Sequence, residues 1–187
     1  MNKICPVLLA FVLLSVSLVA SADGEKEIGL AAEVYPTGVI TAVTGKMPFR
    51  GDGQWLTLRV GHNSTDRDDN GDRDDEEGDG IGASVGWRKM LKDTDRGWFA
   101  GALVDLWFME IDWIDDPGTM METRGTTDIT VLQPTAELGY RMPFGKQNRW
   151  NFEPIVSLGV EWNVHTDGAD VGEGFILRVG GAVSRRF

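Results

Sequence analysis

Two groups of residues hold enough chemistry to be weighed first, and both lie in one acidic stretch. His62, Ser64 and Glu76 supply the types of a nucleophilic hydrolase. The imidazole would take a proton, the hydroxyl would attack an acyl ester, and the carboxylate would orient the imidazole. In the same stretch, "STDRDDNGDRDDEEGDG" places Asp66, Asp68, Asn70 and Asp72 at alternating positions, with Gly71 between and Glu77 closing. That is the spacing of a calcium loop, which takes oxygen ligands at every second residue and a bidentate carboxylate at its end. Each has a plainer counterpart. A flexible acidic segment is a poor place to hold an orienting carboxylate, and a run this acidic meets an alternating-ligand pattern through composition alone. His165 stands alone, and no cysteine and histidine spacing fits a zinc site.

Which elements would position these residues depends on the rest of the chain. It has 187 residues, 18 of them basic and 29 acidic, for a formal charge of −11. That length fits one domain, and the charge excludes nucleic acid as the main partner. With 24 glycines a helical bundle is disfavoured. Met1 to Ala22 has the form of a cleaved secretory leader: Lys3, the apolar run "VLLAFVLLSVSLVA", then Ala20-Ser21-Ala22. The mature domain is expected over 23–187, and the single cysteine, Cys5, falls in the part removed.

From Ile28 onward the hydrophobic period is two, the signature of strands with chemically different faces. In the last segment Phe175, Leu177, Val179, Val183 and Phe187 share one face, and Arg178, Gly180, Ala182, Ser184 and Arg186 the other. Similar runs fall at 28–35, 39–47, 56–61, 81–91, 98–111, 129–144 and 153–165, which makes eight strands. Short connections near Pro48–Gly53, Lys92–Gly97 and Gly145–Trp150 alternate with longer ones at Ser64–Asp79, Trp113–Thr127 and Thr166–Glu173. The tight Pro36-Thr37-Gly38 connection breaks the rule. Tight turns at one end and long loops at the other mark a transmembrane barrel.

A soluble lipocalin-like barrel in the periplasm has the same alternation with inside and outside exchanged. The polar face decides for the membrane. It collects Glu33, Asp105, Glu137, Glu153 and Glu161 with Arg59, Arg88, Arg141, Arg178 and Arg186, interleaved with glycines. Five acids and five arginines beside so much glycine fit a crowded, ion-paired interior better than a solvated surface. Trp55, Trp87, Trp98, Trp113, Trp150 and Trp162 lie near strand ends, where an interfacial girdle would put them.

These features resemble the small eight-stranded outer-membrane barrels of Gram-negative bacteria, the OmpX and Ail type and the OmpA transmembrane domain. The closing "FILRVGGAVSRRF", ending in phenylalanine, is similar to the signal by which such barrels are recognised for assembly, with Arg185 where an apolar or aromatic residue is usual. The resemblance implies an all-β, eight-stranded antiparallel up-and-down barrel in the outer membrane, contacting lipid and lipopolysaccharide as a monomer. The His62 and Ser64 spacing resembles that of the outer-membrane lipid A 3-O-deacylases, with Thr65 where that family has asparagine.

The reading that follows is a noncatalytic structural or surface-interaction barrel. Its acidic loops would bind calcium or another divalent cation, bridge such cations to lipopolysaccharide phosphates, or meet an extracellular protein or ligand. The hydrolase using His62, Ser64 and Glu76, and the soluble periplasmic barrel, are its alternatives.

Overall fold

The structure is a computed structural model that describes residues 25–50, 53–67, 72–92 and 94–187. The expected leader, Asp68, Asn70 and Gly71 lie outside the described residues. The strands are β1 (Glu27–Tyr35), β2 (Gly38–Pro48), β3 (Gln54–Asp66), β4 (Asp75–Met90), β5 (Gly97–Asp115), β6 (Thr123–Phe144), β7 (Trp150–Asp167) and β8 (Gly174–Arg186). Each pairs antiparallel with its sequence neighbours, and β1 pairs with β8 from Glu27↔Arg186 to Val34↔Val179, closing the barrel. Glu25 and Phe187, the first and last described residues, and three turns lie at one end, called here the turn end. The opposite, loop end carries the Pro36-Thr37 turn and the loops at 67–74, 116–122 and 168–173.

Three loops are shorter than the sequence predicts because the strands run on into charged segments. Asp66 pairs with Glu77, and Asp79 with Glu110, in unbroken ladders. Charged side chains that point to water stay hydrated in a strand, and the ladder still satisfies the backbone.

The expected orientation holds. Phe175 is 70% exposed, and Leu177, Val179 and Val183 share its outward face, while Arg59, Arg141 and Arg178 are buried in the lumen. From Phe175 to Phe187 is twelve residue steps, which at about 3.3 Å each and a tilt of about 40° climb about 30 Å, the thickness of a hydrocarbon core. A lipocalin-like soluble barrel is overturned, because it would leave this apolar band in water.

The middle of the lumen is an ionic layer. Arg59 bonds Glu33 at 2.6 Å, and Arg178 reaches Glu33 at 3.1 Å and Asp105 at 2.9 Å. Arg88 grips Glu137 through two bonds, 2.8 and 3.0 Å, and meets Glu153 at 3.3 Å. Arg141 bonds Glu153 at 2.8 Å and also Glu27, and Lys46 bonds Glu153. Charges this dry persist because each finds an opposite partner.

Beyond that layer the hydrophobic face changes side. Along β5 the outward residues are apolar up to Phe108 and then become Glu110 and Asp112, while the inward residues become Trp107, Met109 and Ile111. On β6 the outward Asp128 flanks inward Ile129 and Val131. These inward residues form an apolar core with Tyr35, Ile40, Val171 and Ile176. Below Phe108 the wall faces lipid and encloses charge; above it the wall faces water and encloses hydrocarbon. Room for this core comes from β4, whose inward Gly78, Gly80 and Gly82 lie against Ile111, Met109 and Trp107.

Two of the six expected girdle tryptophans point inward. Trp55 packs on the cluster of Met90, Phe99 and Ile155 at the turn end, under the Arg141 guanidinium at 4.9 Å, and Trp113 packs on the loop-end core. Trp87, Trp98, Trp150 and Trp162 face outward.

Candidate functional site at the loop end

Glu76 is the hub of the loop end. Strand parity turns it inward and Glu77 outward, so its carboxylate sits fully buried at the mouth of the lumen. It accepts the backbone N–H groups of Asp72 at 2.8 Å, Arg73 at 3.1 Å and Gly172 at 3.1 Å to each oxygen. The Arg67 guanidinium bonds it at 3.1 Å and also donates to the Gly172 carbonyl. These donors satisfy both oxygens of the buried carboxylate. The result joins the β3–β4 and β7–β8 loops across the mouth.

The β7–β8 loop is a cap rather than a free arm. Val171 is buried in the apolar core, its carbonyl accepting the Asn163 amide at 3.0 Å. Thr127 bonds both Ala169 N–H, at 3.0 Å, and Ala169 carbonyl, at 3.1 Å. Arg73 closes the opposite side: it bonds Asp115 at 2.6 Å and the Asp170 carbonyl at 3.1 Å, over the Trp113 ring at 4.8 Å.

The residues of the alternative hydrolase reading fall on two faces of the barrel wall. His62 and Ser64 lie two apart on the outward face of β3, and the imidazole Nε2 meets Asp79 Oδ2 at 2.9 Å. Glu76 faces the lumen through the wall and is held by the loop amides, so it does not orient His62. Of the calcium-loop residues, Asp66 and Glu77 face each other on the outer wall, and the loop amides of Asp72 and Arg73 turn to Glu76. Among the described residues no three His, Cys, Asp or Glu side chains are grouped to hold a metal ion. His165 faces outward beside Thr130, where a bulge between Thr130↔His165 and Val131↔Asn163 shifts the alternation by one.

Outside the wall, carboxylates form a row that the sequence reading did not anticipate. Asp79, Glu110 and Asp128 sit side by side across β4, β5 and β6, one step above Ile81, Phe108 and Thr130. Like charges in register repel. The whole molecule is polarised in the same sense. Among the described residues outside the lumen, the loop end holds fifteen acidic side chains and two basic ones, Arg73 and Arg124. The described residues of the turn end hold eight basic side chains outside the lumen and two acidic ones, Glu25 and Asp95, with Arg186 at the lumen mouth. The sequence signal was available in the reversal of hydrophobic parity at Phe108–Met109, where the charges outside begin.

Two exposed carboxylates are held below their usual range. At the β5–β6 tip, the Gly118 N–H lowers Glu122, helped by the Arg124 side chain. At the turn end, the hydrogen bond from Arg186 lowers Asp95.

The autotransporter beta-domain family matches residues 38–186. No curated protein matches the chain in sequence. Among solved structures, a major outer membrane protein from Thermus thermophilus is similar over 87% of this chain and 98% of its own, at 15% identity and a TM-score of 0.59. The N-terminal β-barrel domain of Pseudomonas aeruginosa OprF is similar over 89% and 100%, at 12% identity and a TM-score of 0.47. Ail, the attachment invasion locus protein of Yersinia pestis, is similar over 88% and 99%, at 11% identity and a TM-score of 0.47.

Proposed function

The chain belongs to the autotransporter beta-domain family, and from that premise we propose that it is a noncatalytic barrel of the bacterial outer membrane that serves as a structural and surface-interaction element. In this reading the leader at 1–22 is cleaved, the turn end faces the periplasm and the acidic loop end faces outward. One observation carries it: a dense ionic network occupies the lumen down to the turn end, beneath the loop-end apolar core, while the outer wall at the loop end is dense with carboxylates. A filled lumen favours contact at the surface over passage through the barrel, whether of solutes or of a threaded polypeptide.

The row Asp79, Glu110 and Asp128 lies just above the apolar band, at the height where lipid headgroups begin. Lipopolysaccharide there carries phosphates that divalent cations bridge, and carboxylates at that height would share those cations. Calcium or magnesium would thus relieve the repulsion along the row. Membrane fractionation with heat-modifiable mobility on a detergent gel tests the placement; recovery as a soluble periplasmic protein overturns it. Adding calcium to the barrel in lipopolysaccharide-containing vesicles is expected to raise its unfolding temperature, with Asp79→Asn, Glu110→Gln and Asp128→Asn together removing the gain. An identical gain in the triple variant would refute the cation bridge. Wild type and Ser64→Ala are expected to leave lipid A acylation alike and unaltered.

A further inference from the structure

The opposite end of the barrel has the opposite charge. Among its described residues, seven exposed basic ones occur on every turn and on two strand ends. Arg50 lies in the β2–β3 turn, Lys92 and Arg96 in the β4–β5 turn, and Lys146 and Arg149 in the β6–β7 turn. The remaining two, Lys89 and Arg185, are on the outward, lipid-facing wall. Lys89 is two residues below outward Trp87, and Arg185 lies across from Trp150 with its guanidinium 5.9 Å from the ring. Outward tryptophans mark the level of the headgroups, so these two cations sit where lipid phosphates sit.

We propose that the turn end is a docking collar for anionic phospholipid headgroups of the periplasmic leaflet. The collar surrounds the barrel, so it fits a sheet of phosphates better than one ligand. Charge complementarity favours that occupant: among the described residues of that end outside the lumen, the acids Glu25 and Asp95 both lie against Arg186. Long cationic side chains keep their stems on the apolar wall while the heads reach phosphate. The inference rests on the orientation proposed above.

Outward Trp87, Trp98 and Trp150 report on the lipid beside the collar. The full chain is reconstituted in phosphatidylcholine vesicles carrying either brominated phosphatidylcholine or brominated phosphatidylglycerol, and quenching is compared at equal mole fraction. Phosphatidylglycerol is expected to be enriched about fivefold beside the protein, the worth of one basic residue at an anionic surface. The enrichment should fall in Lys89→Gln with Arg185→Gln. It should also vanish for the unaltered chain in about 1 M potassium chloride, where the Debye length is about 3 Å. Equal quenching by the two lipids, or enrichment that survives both treatments, overturns the collar. Inorganic phosphate that abolishes enrichment where chloride of equal ionic strength does not would reassign the collar to free phosphate and overturn the lipid assignment. Heat-modifiable mobility in the same vesicles separates the two readings: insertion without enrichment sinks the collar alone, and failure to insert sinks both.

Discussion

Gly82 lies directly across from Trp107 in the β4–β5 ladder, and the indole ring fills the space that a Cβ on Gly82 would need. Gly82→Ala is therefore expected to destabilise the barrel by about 1–3 kcal/mol, the usual cost of overpacking. Urea unfolding in vesicles measures it, and Trp107→Leu in the same background should recover part of the loss. An unchanged midpoint would mean that the loop-end core is looser than described.

Arg178 joins β8 to three other strands. It bonds Asp105 at 2.9 Å, Gln133 at 3.0 Å, Thr135 at 2.8 Å and Glu33 at 3.1 Å, all in the dry lumen. Arg178→Leu leaves two carboxylates short of a cation and should cost about 3–5 kcal/mol in the same assay.

The strand count, the order and the ion-paired lumen could be read from the sequence because within the bilayer the two faces differ sharply in chemistry. Glu33, Arg88, Glu137 and Arg178 alternate with Val34, Trp87, Leu138 and Leu177, and no other arrangement satisfies both sets. Position in the membrane was harder to read. Trp55 and Trp113 have the same hydropathy whether they face lipid or a core, so placement near strand ends could not orient them. The single extra residue at the bulge beside His165 shifts the strand's parity, which composition does not announce. Glu76 and Glu77 are chemically alike neighbours, and the parity of β4 alone tells which one faces the lumen.

The cap should loosen without Glu76. Glu76→Gln keeps the shape but removes the charge that gathers the amides of Asp72, Arg73 and Gly172. Hydrogen exchange at Gly172 is expected to quicken about tenfold or more, while the ladders of β1 and β8 keep their protection. Unchanged exchange would show that Val171 alone seats the cap.

The Asp95–Arg186 contact sets an acid limit at the turn end. Arg186 lowers the Asp95 carboxyl below its ordinary 3.8, so folding favours the ionised form. The stabilisation is present above the ordinary value and is lost as pH falls through the depressed one. Because the pair is exposed the effect is small, and Asp95→Asn should flatten the stability profile below about pH 4. A steeper fall in the variant would contradict the assignment.

The central claim is that the apolar face of each membrane-level strand meets lipid while its neighbour faces a closed interior. Spin labels at Val179→Cys and Ser157→Cys, with Cys5→Ser in both, test it in vesicles through collision with oxygen and with a water-soluble nickel chelate. The label at 179 should collide freely with oxygen and hardly with nickel, and the label at 157 with neither. Strong nickel access at either position would place water where lipid or packed charge is required, and would contradict the account.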